Sequence, residues 1–335
     1  MTLWKGGDDL IKTVVGNCSN TVVVIHGVGA VLVDEWYDHP NVTGIIWAGL
    51  PGQESGSSLA DVLYGRVNPG GKTPFTWGKT REAYGPPLIT EPNNGELAPQ
   101  AYFPDGIFID YRRFDKYDET PIYEFGFGLS YTNFSYSDLK VEQLDAPPYT
   151  PTTGWTSPAP TFGTVGPASD YLYPDNIERP PLFLFPYINS TDLAASSNDS
   201  TYGMKTSDYI PEGALDTSPQ PLLPAGGAPG GNPRLYDQLF RISITITNTG
   251  SVIGDEVPQL YVSLGGPDDS KVALRAFDRL TIQPGESVTW TPVLTRRDLS
   301  NWDPASQDWF ISEYPKTAFA GSSSRKLPLS APLPI

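Results

Sequence analysis

Three kinds of apolar pattern follow one another along the chain. In residues 8–16, DDLIKTVVG, Leu10, Ile11, Val14 and Val15 recur at helical spacing, Asp8 and Asp9 suit the positive end, and Gly16 can close the turn. The pattern predicts a helix. NTVVVIHG and VTGIIWAGL (42–50) are instead continuous β-branched and apolar runs between turn residues. Runs of this kind suit parallel strands buried on both faces. Residues 53–64 return to helical spacing, with Leu59, Ala60, Val62 and Leu63 on one stripe and Gly65 beyond the end. KTPFTW (72–77) predicts a third short strand. Together these elements predict an α/β layer, a parallel sheet with crossover helices. About half of such a domain is represented, by the usual domain size.

Residues 78–121 are rich in loop-forming residues, and GIFIDYRRFD (106–115) alternates as a strand would. In residues 120–144 Phe134 and Tyr136 alternate, then Leu139 and Val141, which predicts the entry to a second domain. From 145 to 232 Pro, Gly, Ser, Thr and Tyr dominate and, apart from PLFLFPYI (181–188), no period persists. A surface insertion is expected there, although loops of such length are uncommon within compact domains. FRISITITNTG then alternates strictly, with Phe240, Ile242, Ile244 and Ile246 predicted inward. EVPQLYVSL, KVALRAFDRLTI, SVTWTPVLT, DWFISE and KTAFAGSS follow at short spacing. They predict an immunoglobulin-like sandwich without helices. The expected segments are 1–121, 122–144, 145–232 and 233–335.

Composition narrows the function. The 335 residues carry a formal charge of −16. A phosphate backbone or an anionic membrane surface would repel such a chain. No run reaches the length of a membrane-spanning helix. Five Asn-x-Ser/Thr sequons, at Asn17, Asn41, Asn133, Asn189 and Asn198, fit a secreted glycoprotein. The N-terminal MTLWKGGDDLIK has no apolar signal core, so a longer parent chain is expected. The single cysteine, Cys18, excludes an internal disulfide and a cysteine-based zinc site. It is expected either as a small buried residue or as one whose partner lies elsewhere.

Candidate chemistry is sparse. Gly52-Gln53-Glu54-Ser55-Gly56 is not a nucleophile elbow, and Gly27-Val28-Gly29 lacks the third glycine of a dinucleotide turn. The only histidines are His26, expected to be structural at the end of a buried strand, and His39, expected to be exposed. Two histidines cannot make a His-rich metal site. Hydrolysis of a glycoside needs a pair of carboxylates. Asp34, Glu35, Glu54, Asp61, Asp110 and Asp115 are the candidates. Glu54 opens a predicted helix, where an anion is favoured, the wrong state for a general acid. Asp34 and Glu35 precede Trp36 and Tyr37, so they either face a sugar or belong to an ordinary amphipathic loop.

Longer motifs are more specific. TVVVIHGVGAVLVDEWYDHPNVTGIIWAGLPGQESGSSLADVLYGRVNPGGKTPFTWGKTREAYG, TPIYEFGFGLSYTNF, LRAFDRLTIQPGES and AGSSSRKLPL closely resemble the C-terminal region of fungal glycoside hydrolase family 3 β-glucosidases. The resemblance runs along essentially the whole chain, LPAGGAPGGNPRLYD included. It implies a TIM-like barrel, an α/β sandwich and a fibronectin type III-like domain, and retaining hydrolysis of terminal β-glucosyl units without metal or cofactor. The implied nucleophile is an Asp of a Ser-Asp-Trp type motif on the barrel. The implied acid/base is a Glu of a Gly-Glu-Gly-Tyr type motif preceding the segment that matches Met1–Trp4. Neither motif occurs here, so no catalytic residue carries over, and Glu54 falls in a scaffold turn. The expected reading is a β-glucosidase part that is inactive alone and whose partners are β-glucosides and a separate barrel. The alternatives are a stand-alone glucan-binding module using exposed aromatics such as Tyr171 and Tyr173, and a piece that complements a separately encoded barrel. Half a parallel sheet leaves open edges, so residues 1–120 are expected to be marginal alone.

Overall fold

The computed structural model describes residues 1–87, 89, 101–150, 232–303 and 308–334. Helix α1 (Gly7–Val15) precedes strand β1 (Thr21–His26), which pairs in parallel with β2 (Val42–Gly49). The connection between the two strands is a turn around residues 34–38, from which Val33 and Trp36 point inward. Helix α2 (Ser55–Leu63) follows β2 through a 3-10 turn, Gly52–Glu54. Val23, Ile25, Val33, Trp36 and Trp77 form the core of this part, with Leu3, Ile11, Ile45, Trp47 and Phe75 packed around it.

Two expectations fail in the next stretch. Residues 72–77 are not a strand; they pair only at two points, the antiparallel bridge from Trp77 to Tyr123 and the backbone bonds between Thr73 and residues 126–127. Pro74 lacks the N–H that a ladder needs. Residues 106–115 are not a strand either, because α3 (Tyr111–Lys116) occupies their second half. Asp110 decides the matter. It adopts φ 53° and caps the helix, its carboxylate accepting from Tyr111 N at 2.6 Å. It also takes Thr76 Oγ1 at 2.6 Å.

Strand β3 (Phe134–Gln143) opens the all-β part. It pairs with β4 (Gln238–Asn248), whose other side carries β9 (Ser287–Trp290) and β10 (Val293–Thr295). The facing sheet has the order β14 (Leu329–Leu333), β13 (Lys316–Gly321), β6 (Gln259–Ser263), β7 (Ala273–Phe277). β5 (Gly254–Glu256) pairs with β8 (Leu280–Ile282), and β11 (Asn301–Asp303) with β12 (Asp308–Phe310). Phe240, Ile242, Ile244 and Ile246 are buried, as the alternation predicts, and meet Leu260, Val262, Ala318 and Ala320 of the facing sheet. On β3 the pairing slips between Ser137 and Lys140, so Asp138 and Leu139 oppose one residue of β4. This bulge, with Asp138 at φ 55°, changes the parity of the strand. It turns Phe134, Tyr136, Leu139 and Val141 all toward the core. Strands β11 and β14 are additions to the predicted set, and 3-10 turns occur at Pro233–Tyr236 and Arg297–Leu299.

The α/β part and the sandwich are joined by polar contacts. Lys72 Nζ lies 3.1 Å from Glu256 Oε2, and Tyr136 Oη donates to Glu256 Oε1 at 2.6 Å. Burial first, then the Glu256 charge, pushes the Tyr136 phenol far up. Gln259 Nε2 donates to Gly126 O at 3.1 Å. A Cβ on Gly126, which has φ 77°, would overlap the Gln259 amide, so only glycine allows this approach.

Candidate functional site at the carboxyl edge of the parallel strands

In α/β sheets, ligands bind beyond the carboxyl ends of parallel strands. Here β1 ends at His26 and β2 at Gly49, joined by Gly27 N donating to Gly49 O at 3.2 Å. The chain turns sharply after β2 because Gly49 and Gly52 both take positive φ. An open cleft of 370 Å³ results, lined by His26, Leu50, Pro51, Gly52 and Ser55. His26 is therefore exposed at a cleft mouth and is not the inward structural residue expected. Ser55 Oγ donates to Gly52 O at 2.7 Å, which ties it to the turn.

Glu54 stands beside the cleft without lining it. Its carboxylate accepts from Ser57 Oγ at 2.5 Å, and its carbonyl accepts from Ser58 Oγ at 2.7 Å. It is exposed and closes the 3-10 turn ahead of α2. Its placement in a turn ahead of a helix is the one read from the sequence.

The other candidate carboxylates lie apart from the cleft lining, and all but Asp34 are engaged locally. Glu35 accepts from Lys12 Nζ at 2.6 Å, and the hydrogen bonds that Lys12 donates to Glu35 and Asp9 raise its ammonium above the usual value. The indole beside them, Trp36, is fully buried and donates to Asp8 Oδ1 at 2.9 Å. Asp34 and Glu35 thus belong to an amphipathic turn whose indole is turned inward, with Tyr37 half-buried beside it. Asp61 pairs with Arg66 at 3.0 Å. Asp110 caps α3. Asp115 pairs with Arg325 at 3.1 Å; burial raises its carboxyl above the usual value, against the pull of Arg325. Among the described residues no group of His, Cys, Asp and Glu is arranged to hold a metal ion.

His39 is half-buried, accepting from Asn41 N at 3.2 Å, where exposure was expected. Cys18 is exposed, its thiol 3.3 Å from Asn20 O, and is not a buried residue. The sequons differ in access. Asn133 and Asn17 are exposed, but Asn17 Nδ2 donates to Thr13 O at 2.9 Å. Asn41 is half-buried and donates to Val15 O at 2.7 Å. Asn189, Asn198, Tyr171, Tyr173 and the run 181–188 lie outside the described residues. No helix among the described residues is long and apolar enough to cross a membrane.

Comparison with known proteins agrees with this geometry. Residues 1–131 match the glycosyl hydrolase family 3 C-terminal domain, and residues 256–324 match a fibronectin type III-like domain. Over 334 residues the chain is 66% identical to Beta-glucosidase A of Aspergillus kawachii, spanning all of this chain and 39% of that protein. It is similarly 66% identical to the probable beta-glucosidase A of Aspergillus niger. Its fold superposes on a Chaetomium thermophilum beta-glucosidase with a TM-score of 0.76 at 56% identity, covering 99% of this chain and 40% of the other. A Neurospora crassa family 3 beta-glucosidase gives 0.77 at 57%. The chain belongs to glycoside hydrolase family 3 and corresponds to its C-terminal domain followed by a fibronectin type III-like domain. It spans about two fifths of the length of these relatives.

Proposed function

We propose that this chain is the C-terminal part of a secreted, N-glycosylated β-glucosidase that removes terminal β-glucosyl residues from cellulose- or glucan-derived substrates. In this reading the nucleophile and the acid/base both come from polypeptide preceding these residues, and the chain alone does not hydrolyse glucosides. The observation that carries it is the end-to-end match to Beta-glucosidase A over only 39% of that protein. The site gives the reading its shape. A retaining mechanism needs two carboxyl groups about 5 Å apart. The cleft at the strand ends offers an imidazole and a hydroxyl, and its nearest acid is a turn residue. The cleft and the apolar surface around it form the face that the preceding polypeptide covers, with Val28, Leu50 and Tyr64 as exposed contacts.

One secretion experiment tests both halves. The chain is exported from a fungal host with and without the upstream part of a relative. It is then assayed on an aryl β-glucoside and weighed before and after glycan removal. Activity only with the upstream part is expected, with glycan on Asn133 before Asn17 and Asn41. Turnover by the chain alone that vanishes in Glu54→Gln would refute the reading.

A further inference from the structure

Against a net charge of −16, guanidiniums gather where α3 meets the sandwich. Tyr111 opens α3, and its Oη accepts from Leu274 N of β7 at 3.0 Å. That bond brings the next residue on each element, Arg112 and Arg275, together. Arg297 joins the group from the 3-10 turn after β10, a strand that packs against both that turn and β7. Elsewhere Arg66, Arg113, Arg241, Arg279 and Arg325 each pair with a carboxylate. These three form no ion pair among the described residues. Asp298 is the carboxylate whose charge acts most on Arg275, yet it forms no ion pair with it, and its Oδ2 accepts from Thr295 N at 2.8 Å and Thr295 Oγ1 at 2.7 Å. The Nε atoms of Arg112 and Arg275 are buried and have no hydrogen-bond partner. Such donors are costly to leave unmade.

An aromatic surface adjoins the charge. The Arg297 guanidinium lies 5.1 Å over the ring of Trp309. Trp309 meets Trp302 edge to face at 5.8 Å across the β11–β12 hairpin, and Trp302 is 45% exposed. We propose that Arg112, Arg275 and Arg297, with Trp302 and Trp309, form a binding site, where α3 meets the sandwich, for a carboxylate-bearing saccharide, a uronic acid residue. The guanidinium fork matches a carboxylate in two hydrogen bonds. An indole face offers a broad, stiff apolar contact to a sugar ring. A neutral sugar would leave the arginine donors unmet, and a bare inorganic anion would leave the indoles unused. The site is independent of where the hydrolytic carboxylates come from.

Calorimetric titration of the 335-residue chain with trigalacturonic acid tests this, with cellotriose and inorganic phosphate titrated separately. Saturable binding of the triuronide is expected, tighter than either control and weakened by added salt. Arg275→Gln and the exposed Arg297→Gln should each weaken it about 10-fold. Arg241→Gln, on the opposite sheet, should leave it unchanged. No saturable binding at low ionic strength, equal affinity for cellotriose or phosphate, or unchanged affinity in both variants would overturn the proposal.

Discussion

Strands β2 and β4 are both strongly apolar, yet they are buried very differently. In β4 every second residue from Phe240 to Ile246 is fully buried, because a second sheet closes over that face. In β2, whose sequence VTGIIWAG reads as a strand covered on two sides, no residue is fully buried. The same contrast holds for the helices. Of the stripe predicted on α1, only Val15 is buried and Leu10 and Val14 are exposed; α2 buries none of its residues. Among the described residues, fourteen buried ones form the sandwich core and five form that of the α/β part. Apolar burial is the main favourable term in folding, so the two regions should differ in stability. The difference teaches that the α/β sequence is written for more cover than the described residues supply.

The largest expected effect tests this contrast with one substitution made twice. Ile244→Ala on β4 should cost about 4 kcal/mol of global stability, the usual loss for a large aliphatic side chain in a closed core. Ile25→Ala on β1 removes the same atoms from a buried site in the smaller core. Its effect should stay local: faster amide exchange in β1 and β2, with β4 unchanged. Denaturant melts and hydrogen exchange on both variants decide the question. A fall in global midpoint for Ile25→Ala as large as for Ile244→Ala would show that the two regions unfold as one unit.

The junction comes next. Lys72→Met would leave Glu256, almost wholly buried, with Tyr136 as its remaining side-chain partner. Removing one member of a buried pair strands the other charge. Here the Tyr136 hydrogen bond softens the loss to about 2–3 kcal/mol. The double change Lys72→Met with Glu256→Leu should recover part of it. Recovery would separate the cost of an orphaned charge from the cost of losing the joint, and a double variant as unstable as the single one would contradict this account.

What the sequence revealed depended on whether the cause was local. The inward set of β4 was legible because alternation and a single buried face are one fact. The parity change in β3 was already visible as Phe134, Tyr136, then Leu139, Val141, although only the structure explains it by a bulge at Asp138. The error at 106–115 has a non-local cause: Asp110 caps α3 while holding Thr76, 34 residues away in sequence. His26 was misjudged because a strand that looks buried in sequence ends at an open cleft. The placement of Glu54 in a turn ahead of α2 was legible from the glycines and the helix start that follow β2. The arginine cluster was not, since Arg112, Arg275 and Arg297 are brought together only by tertiary structure.

The smallest effect concerns pH, at the contact between α3 and the loop after β13. Burial raises the Asp115 carboxyl above 3.8 in the folded protein, and the Arg325 charge opposes this only in part. The folded state therefore holds this proton more tightly than the unfolded chain does. Stability from this group grows as pH falls through the raised folded value toward 3.8, and is lost again as pH rises through that window. Asp115→Asn should flatten this slope. At neutral pH its net effect should be below about 1 kcal/mol, because the pair it breaks is partly open to solvent on the arginine side. Denaturant midpoints for the parent and the variant across the acid range measure it. An unaltered pH slope in Asp115→Asn would mean that desolvation of this carboxyl does not govern the contact, and that Arg325 donating to Glu119 O at 2.8 Å holds the loop by itself.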